Sequence, residues 1–216
     1  MSGATDPVVP REFAGAWRRT DLHVGGQLRD DADVLWLQTS EWYADLRIPH
    51  DDHGGPIEAF AGPARWVEPY FTWLHHIDWV GSFPDDVGHL TWDDGVLIET
   101  GWFEAEPKDQ PYEERWVPDP VKGPRLVAVR TGAEGRAAMV RVGDEAITLV
   151  DERLGGGGFA ARRDQRVDGR WSCRLSRAIG RDEIDRPDLD RSFRIRDELI
   201  AGDVILEVVE VATAFD

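Results

Sequence analysis

Short segments in which apolar and polar residues alternate recur along almost the whole chain. Residues 33 to 49, DVLWLQTSEWYADLRIP, contain two such runs around TSE and predict a β-hairpin. Residues 88 to 103, GHLTWDDGVLIETGWF, predict a second hairpin, because Asp94 and Gly95 suit the positive φ angles of a tight turn. The same period continues in YEERWVP, RLVAVRTG, AAMVRVGDEAITLVDE, RWSCRLSRAIG and DVILEVVEV. Together these segments predict about ten antiparallel strands.

An antiparallel sheet of this length has two exposed edges unless it closes on itself. We therefore predict an all-β fold, an antiparallel β-barrel of about ten strands with little helix and with room for a small ligand. A sandwich or two short half-barrels remain open as alternatives. Residues 1 to 11 are expected to form a flexible leader, and residues 12 to 216 a single barrel domain. Only residues 181 to 201 could hold a helix or a long charged excursion, which Pro187 interrupts.

The composition narrows the range of partners. The 216 residues carry 25 Lys and Arg against 42 Asp and Glu, a formal net charge of -17. Nucleic acids and anionic membranes require compensating positive charge, so neither is expected as a partner. The same field would favour a cationic or neutral ligand. The chain has 10 tryptophans, which suit a wide barrel with an aromatic-walled pocket.

The single cysteine, Cys173, excludes an intramolecular disulfide and fits a reducing compartment. The first residues, MSGATDPVVPREF, lack the basic and apolar regions of a signal peptide. No run reaches the roughly 18 apolar residues of a membrane-spanning helix. We therefore expect a cytoplasmic protein, and the sequence makes no prediction of its oligomeric state.

Two resemblances add to this interpretation. Gly15-Ala16-Trp17 resembles the Gly-x-Trp signature of lipocalins, in which the tryptophan closes one end of the barrel. The order of motifs between residues 43 and 118 is similar to the lipocalin-like Hri family, named for a yeast Hrr-interacting protein. The matching positions are Leu46, Arg47, Phe60 to Gly62, Trp73, Leu74, Gly95, Glu99 to Gly101, Glu114, Trp116 and Pro118. The resemblance implies a lipocalin-like, calycin-type barrel, and it implies no reaction.

The histidines in TWLHHIDW, residues 72 to 79, fall outside that resemblance. If the segment is one strand, Trp73, His75, Ile77 and Trp79 share an inward face, and His76 lies with Asp78 on the outward face. Burial would lower the pKa of His75 and leave a neutral imidazole that could accept a proton or bind a metal. There are two alternatives for His75. It could be a core histidine hydrogen-bonded to a neighbouring strand, or it could ligate a haem, as in calycin-type haem proteins.

Carboxylates also fall on faces that carry aromatic residues. Glu114 shares a face with Tyr112 and Trp116, so it would lie inside the barrel and need a partner, because an unpaired buried charge is costly. Arg47, on one face with Tyr43 and Asp45, is the expected partner. Glu99 lies on the face opposite Trp102. The candidate ligand-binding residues are Arg47, Tyr43, Trp73, Trp79, Glu99, Trp102, Tyr112 and Trp116.

Two further motifs have simpler explanations. The histidines and aspartates of HDDH, residues 50 to 53, are typical of a polar loop, since no His-Glu-x-x-His or Cys-x-x-Cys arrangement accompanies them. The glycines of LGGGGFAARRD, residues 154 to 164, lack the spacing of a phosphate-binding loop and indicate a strand connection. The sequence therefore predicts no metal site and no cofactor.

The favoured function is the binding of a small, largely apolar or aromatic molecule inside a tryptophan-lined barrel. The first alternative is a cofactor-independent isomerase, dehydratase, decarboxylase or cyclase, with His75 as base and Glu114 as acid. The second is a protein-interaction module whose barrel is filled with side chains. An open cavity would argue against this last hypothesis.

Overall fold

The computed structural model describes residues 9–29, 32–50, 57–81, 84–103, 110–121 and 123–212. Within these residues the chain is almost entirely β-structure, with two short 3-10 turns at Arg11–Phe13 and Arg153–Gly155. The first ten strands are β1 Gly15–Val24, β2 Gln27–Leu28, β3 Ala32–Gln38, β4 Trp42–Pro49, β5 Glu58–Val67, β6 Tyr70–Trp73, β7 Ile77–Asp78, β8 Asp86–Asp93, β9 Val96–Phe103 and β10 Gln110–Asp119. The remaining strands are β11 Arg125–Thr131, β12 Arg136–Val142, β13 Glu145–Asp151, β14 Phe159–Val167, β15 Arg170–Ile179, β16 Glu198–Ala201 and β17 Val204–Ala212.

Eight of the first ten strands form a closed antiparallel barrel. They follow the order β1, β3, β4, β5, β6, β8, β9 and β10, and β10 pairs with β1 to close the ring. The short strands β2 and β7 pair with β1 and β5 beside this ring. The predicted hairpins are β3 with β4 and β8 with β9, and the second turns at Asp94 and Gly95, whose φ angles are 46° and 83°. The predicted all-β antiparallel barrel is confirmed.

The second half of the chain leaves the barrel after Asp119. Seven strands form an open antiparallel sheet in the order β15, β14, β13, β12, β11, β17 and β16. The barrel therefore has fewer strands than the predicted ten, and the described chain as a whole has more, because the later runs pair with each other. Residues 181 to 197 contain neither helix nor strand and cover one face of this sheet with Ile184 and Leu189, which are buried.

Three apolar clusters organise the molecule into layers. The first fills the closed end of the barrel with aromatic rings. The second lies between the barrel exterior and one face of the open sheet, where Leu35, Leu46 and Ile77 meet Val140 and Ile147. The third lies on the other face of the sheet, beneath residues 181 to 197. The sheet thus buries both faces, one against the barrel and one against its own C-terminal segment.

The N-terminal segment joins the barrel earlier than residue 12. Residues 1 to 8 of the expected leader lie outside the described residues. Val9 is buried, and its backbone N–H donates to the carbonyl of Ser40 at 2.9 Å. Phe13 follows it into the closed end of the barrel and accepts a hydrogen bond on its carbonyl from Trp17 Nε1 at 2.8 Å. Residues 9 to 13 therefore act as a cap on the closed end.

We expect one cooperative unfolding transition, because the second cluster takes side chains from both sheets. Ile147→Ala in the open sheet should lower the free energy of unfolding by about 2 to 5 kcal/mol, the usual cost of such a buried deletion. Because nine of the tryptophans precede residue 117, fluorescence reports mainly on the barrel, whereas far-ultraviolet circular dichroism reports on both sheets. In Ile147→Ala, the urea midpoints measured by fluorescence and by circular dichroism should fall by the same amount.

The matched control is Ile200→Ala, because Ile200 lies in β16 and is exposed. Its loss should change stability by less than about 0.5 kcal/mol. Separate fluorescence and circular dichroism transitions, or an Ile147→Ala variant with an unchanged fluorescence midpoint, would contradict a single folding unit.

Candidate ligand-binding cavity at the open end of the barrel

The barrel interior is divided into an aromatic end and a charged end. At the closed end Trp36 is central, with ring centroids 5.5 Å from Trp116, 5.6 Å from Trp73 and 5.8 Å from Phe71. Trp17 stacks on Trp36 at 5.8 Å and completes this plug. The interior tryptophans therefore pack against one another and against Phe71 and form a floor, with the charged side chains above it.

Above this floor the barrel opens into a cavity of about 1300 Å³. Its inward-facing wall is formed by Arg47, Glu58, Phe60, Asp86, Glu99, Gly101, Tyr112 and Glu114. Thr100 and Trp102 line it as well, although they alternate with Glu99 and Gly101 along β9. The open space therefore extends past the strand ends to the outer face of β9.

A small inner pocket of about 20 Å³ lies between this cavity and the aromatic floor. Its apolar walls are Trp36, Phe60, Trp73 and Trp116. Its polar walls are Tyr43, Asp45, Arg47, His75, Asp86 and Glu99. Four of these residues, Arg47, Phe60, Asp86 and Glu99, also line the larger cavity, so the two spaces adjoin. The inner pocket has room for one group the size of a water molecule.

His75 lies inside the barrel, as alternation predicts, but its neighbours differ from the prediction. Strand β6 ends at Trp73, and the chain is irregular from Leu74 to His76 before β7 begins. The irregular step brings His75 and Asp78 together, with Nδ1 3.3 Å from Asp78 Oδ2, whereas alternation separates them. His76 is exposed, while Ile77 and Trp79 pack between the barrel and the open sheet. The predicted common face of residues 73 to 79 is therefore wrong.

A second carboxylate faces His75 from the start of β8. Its Nε2 lies 3.3 Å from Asp86 Oδ2, and the histidine side chain is only 1% exposed. Burial disfavours the charged imidazole, but Asp78 and Asp86 outweigh it and raise the pKa of His75 to about 9. The expected lowering of the pKa is therefore wrong, and His75 is an imidazolium at neutral pH. Since both ring nitrogens face carboxylates, the residue fits neither a general base nor a haem ligand.

The open sheet holds the segment that carries His75. Arg153 donates from Nη1 to the carbonyl of Trp79 at 2.8 Å and from Nη2 to the carbonyl of Asp78. Arg136 donates to the carbonyl of His76 at 2.8 Å. Arg136 thereby gives the irregular backbone between β6 and β7 a partner from outside the barrel, and Arg153 holds the end of β7 and the residue that follows it. The position of His75 therefore depends on the second sheet.

The predicted partner of Glu114 is also different. Arg19 Nη1 lies 2.8 Å from Glu114 Oε1, and both side chains are almost fully buried. Arg47 instead pairs with Asp45, with Nε 3.0 Å from Oδ1, and its guanidinium lies 5.3 Å from the centre of the Phe60 ring. Burial opposes the charge on Arg47, but the surrounding carboxylates, led by Asp45, raise its pKa. Arg47 therefore stays charged within the barrel.

Glu99 is held by hydrogen bonds from β10. Tyr112 donates its hydroxyl to Oε1 at 2.8 Å, and Trp116 Nε1 donates to Oε2 at 3.1 Å. Burial, followed by the nearby Glu114 charge, raises the pKa of Glu99 well above its ordinary value. Gly101 makes room for the Tyr112 ring, because a Cβ there would lie 2.6 Å from that ring. The site therefore requires a glycine at this position of β9.

The structure brings together most of the predicted site residues and separates two of them. His75, Tyr43, Trp73, Arg47, Glu99, Tyr112, Glu114 and Trp116 all lie inside the barrel. Trp79 lies outside it, with its ring 4.8 Å from Phe159 of the open sheet. Trp102 is 67% exposed and lies at the rim of the cavity.

Several residues of the site were not among the predicted site residues, including Glu58 of the cavity wall. Asp45 and Arg19 could have been found, because they alternate with Arg47 and Trp17 along their strands. Phe60 and Trp36 alternate with other apolar residues in the same way. Asp86 could not be placed in the same way, because the sequence after Val80 shows no alternation of apolar and polar residues that would indicate which face of the sheet Asp86 occupies.

Other candidate motifs contribute nothing to this site. His50 is described and lies 3.4 Å from Asp33, but residues 51 to 53 of HDDH lie outside the described residues. The glycines of residues 155 to 158 connect β13 to β14. Among the described residues, no group of three or more His, Cys, Asp and Glu side chains is arranged to hold a metal ion. No helix in the same part of the chain has the length and apolar character needed to cross a bilayer.

The fold and the cavity define a closed eight-stranded antiparallel barrel with an aromatic floor and a charged open end. Among solved structures, the chain is similar to the crystal structure of an uncharacterized protein, YLR301w, from Saccharomyces cerevisiae, with a TM-score of 0.73. The two sequences are 18% identical, and the match covers 91% of this chain and 98% of that chain. At this identity the likeness shows the fold alone. No family model and no curated protein matches the sequence.

We expect the two adjacent histidines to titrate on opposite sides of the ordinary value near pH 6.5. Carboxylates raise the pKa of His75 to about 9, whereas burial and the Arg136 charge lower the pKa of His76. Nuclear magnetic resonance titration of the imidazole protons should resolve the pair, with His75→Gln and His76→Gln variants for assignment. A His75 resonance that titrates below pH 6.5 would contradict the ion pairs described above.

The free energy of unfolding should depend on pH in the way that the raised pKa of His75 predicts. Because the pKa of His75 is higher in the folded protein than in the unfolded chain, its protonation stabilises the fold. This contribution, on the order of 3 kcal/mol, is complete below about pH 6.5 and is lost as the pH rises through about 9. The difference in unfolding free energy between the natural chain and His75→Gln should fall across that range.

Arg19→Met should destabilise the protein by about 3 to 5 kcal/mol, because it leaves the buried Glu114 carboxylate without its ion pair. Adding Glu114→Gln should recover part of that loss, since the neutral amide requires no counter-charge. Urea denaturation of the two single variants and the double variant measures the coupling. Equal stabilities for Arg19→Met and the natural chain would show that the pair does not form.

Proposed function

We propose that the protein binds a small molecule with an aromatic or largely apolar body in the open end of the barrel. The observation that carries this proposal is the cavity of about 1300 Å³, which adjoins the aromatic floor. Binding sites for small molecules are concave and combine apolar walls with a few convergent polar groups. Phe60 and Tyr112 supply flat walls here, and Arg47, Glu99 and Glu114 supply the polar groups.

The charge state of the site favours binding over the proposed acid-base reaction. Both ring nitrogens of His75 face carboxylates, those of Asp78 and Asp86, and Glu114 pairs with Arg19. An imidazolium held between two carboxylates cannot accept a proton, as the base role requires. The open cavity likewise argues against a barrel filled with side chains.

Two broader inferences accompany this function. We infer kinship with the lipocalin-like Hri family from the order of motifs between residues 43 and 118. A cytoplasmic location is supported by the single cysteine, Cys173, which is free and exposed. Immunofluorescence of the tagged chain would test the location.

A neutral aromatic probe, 2-naphthylmethanol, tests the proposed function through quenching of tryptophan fluorescence. Glu58→Trp should lower its affinity at least tenfold, because Glu58 faces the cavity from the start of β5 and an indole there would fill the opening. Glu41→Trp makes the same exchange at an exposed turn at the opposite end of the barrel and should leave binding unchanged. Equal affinities for both variants and the natural chain would place the probe elsewhere and overturn the proposal.

A further inference from the structure

The charge balance of the cavity points to the chemistry of its ligand. Seven acidic side chains line the open space, against two arginines. Both arginines are already paired, Arg47 with Asp45 at 3.0 Å and Arg115 with Glu113 at 3.0 Å. Of the seven, Glu113 and Glu114 also pair with arginines, and the pKa of Glu99 is raised, so the acidic excess consists of Asp21, Glu58, Asp85 and Asp86. An anionic ligand would therefore meet like charge, and a cationic ligand would meet the opposite charge at close range.

The small pocket is lined by three acidic side chains, Asp45, Asp86 and Glu99, against Arg47 and His75, and Arg47 pairs with Asp45. Asp86 lines both spaces, and its side chain is 41% exposed, so a ligand can reach it from the cavity. The His75 imidazolium is matched by two carboxylates, Asp78 and Asp86, at 3.3 Å each. This group of three side chains keeps a net negative charge beside the inner pocket even with His75 protonated.

A buried hydroxyl provides a second, independent observation. Tyr43 is only 2% exposed and lines the inner pocket, and its hydroxyl has no hydrogen-bond partner among the described residues. Leaving such a group unpaired costs about 1 to 3 kcal/mol, so the pocket is suited to a polar guest. A phenol oxygen can accept a hydrogen bond from an N–H group while the nearby carboxylates accept others.

The sizes of the two spaces suit a ligand that has one small polar group and a larger remainder. The inner pocket of about 20 Å³ holds one group of the size of water or ammonium, and aromatic rings form its apolar walls. Indole and phenyl faces attract cations as well as excluding water. The adjoining cavity has room for the remainder of a small molecule.

We propose that the ligand is an aromatic amine whose ammonium group enters the inner pocket beside Asp86 and the Tyr43 hydroxyl, while its ring lies in the cavity against Phe60 and Tyr112. This inference rests on the proposed function, because it assigns a chemical class to the ligand of the same cavity. Asp86 supplies the opposite charge, Tyr43 accepts one N–H, and the aromatic floor shields the pair from water.

The test compares three probes that share one ring and differ in charge: 2-naphthylmethylamine, 2-naphthylmethanol and 2-naphthoate. We expect the amine to bind at least tenfold more tightly than the alcohol at physiological ionic strength, and the naphthoate to bind most weakly. Equal affinities of amine and alcohol, or tightest binding of the naphthoate, would overturn the ammonium assignment and leave the proposed function intact. If none of the three binds, both proposals fall.

Three variants separate a specific ammonium site from attraction to the acidic surface. Asp86→Asn should weaken the amine about tenfold and the alcohol less than twofold. Asp93→Asn removes the same charge from the exposed far end of the same strand and should change neither affinity. Tyr43→Phe should weaken the amine without lowering the melting temperature, because the hydroxyl it removes has no described partner. If Asp86→Asn and Asp93→Asn weaken the amine equally, the attraction is general and the site is refuted.

Discussion

The pairing of β1 with β10 is the constraint on which the rest of the structure depends. It joins the two ends of the first sheet through the register of Trp17 with Pro118 and Val24 with Tyr112. Closure removes the free edges of the sheet, and it also encloses the side chains that face inward. The buried pair of Arg19 and Glu114 spans this seam, since Arg19 lies on β1 and Glu114 on β10. On the outer side, Arg18 links Asp119 of the same seam to Glu145 of the open sheet.

Enclosure explains why the interior is divided. Aromatic rings can fill the closed end because they need no hydrogen-bond partners apart from their ring nitrogens. Charged groups can be held only where each has a counter-charge or a route to water, and these conditions are met at the open end. Arg47 with Asp45 and His75 between Asp78 and Asp86 follow this rule. The charged groups therefore lie at the end of the barrel where the cavity opens.

The open sheet contributes to the site without lining it. Arg136 of β12 and Arg153 of the turn after β13 hold backbone carbonyls of His76, Asp78 and Trp79, in and around the short strand β7. The apolar face of the open sheet covers the outer surface of β3 and β4, so the strands that carry Trp36, Tyr43 and Arg47 are packed on both sides. The second half of the chain therefore provides rigidity to the wall of the cavity.

Alternation along single strands was sufficient to predict the all-β barrel, its two clearest hairpins and the inward orientation of Tyr112, Glu114 and Trp116. This information is local, because the side chains of a strand change face with every residue. Contacts between distant strands were decided by the tertiary structure. Arg19 and Glu114 are 95 residues apart, so no local pattern distinguishes Arg19 from Arg47 as the partner. The irregular backbone after Trp73 also could not be predicted from a local pattern, because Arg136 and Arg153, from the second half of the chain, hold it and the residues that follow it. With that irregular backbone His75 meets two carboxylates that alternation separates from it, and this contact reverses the direction of its pKa shift.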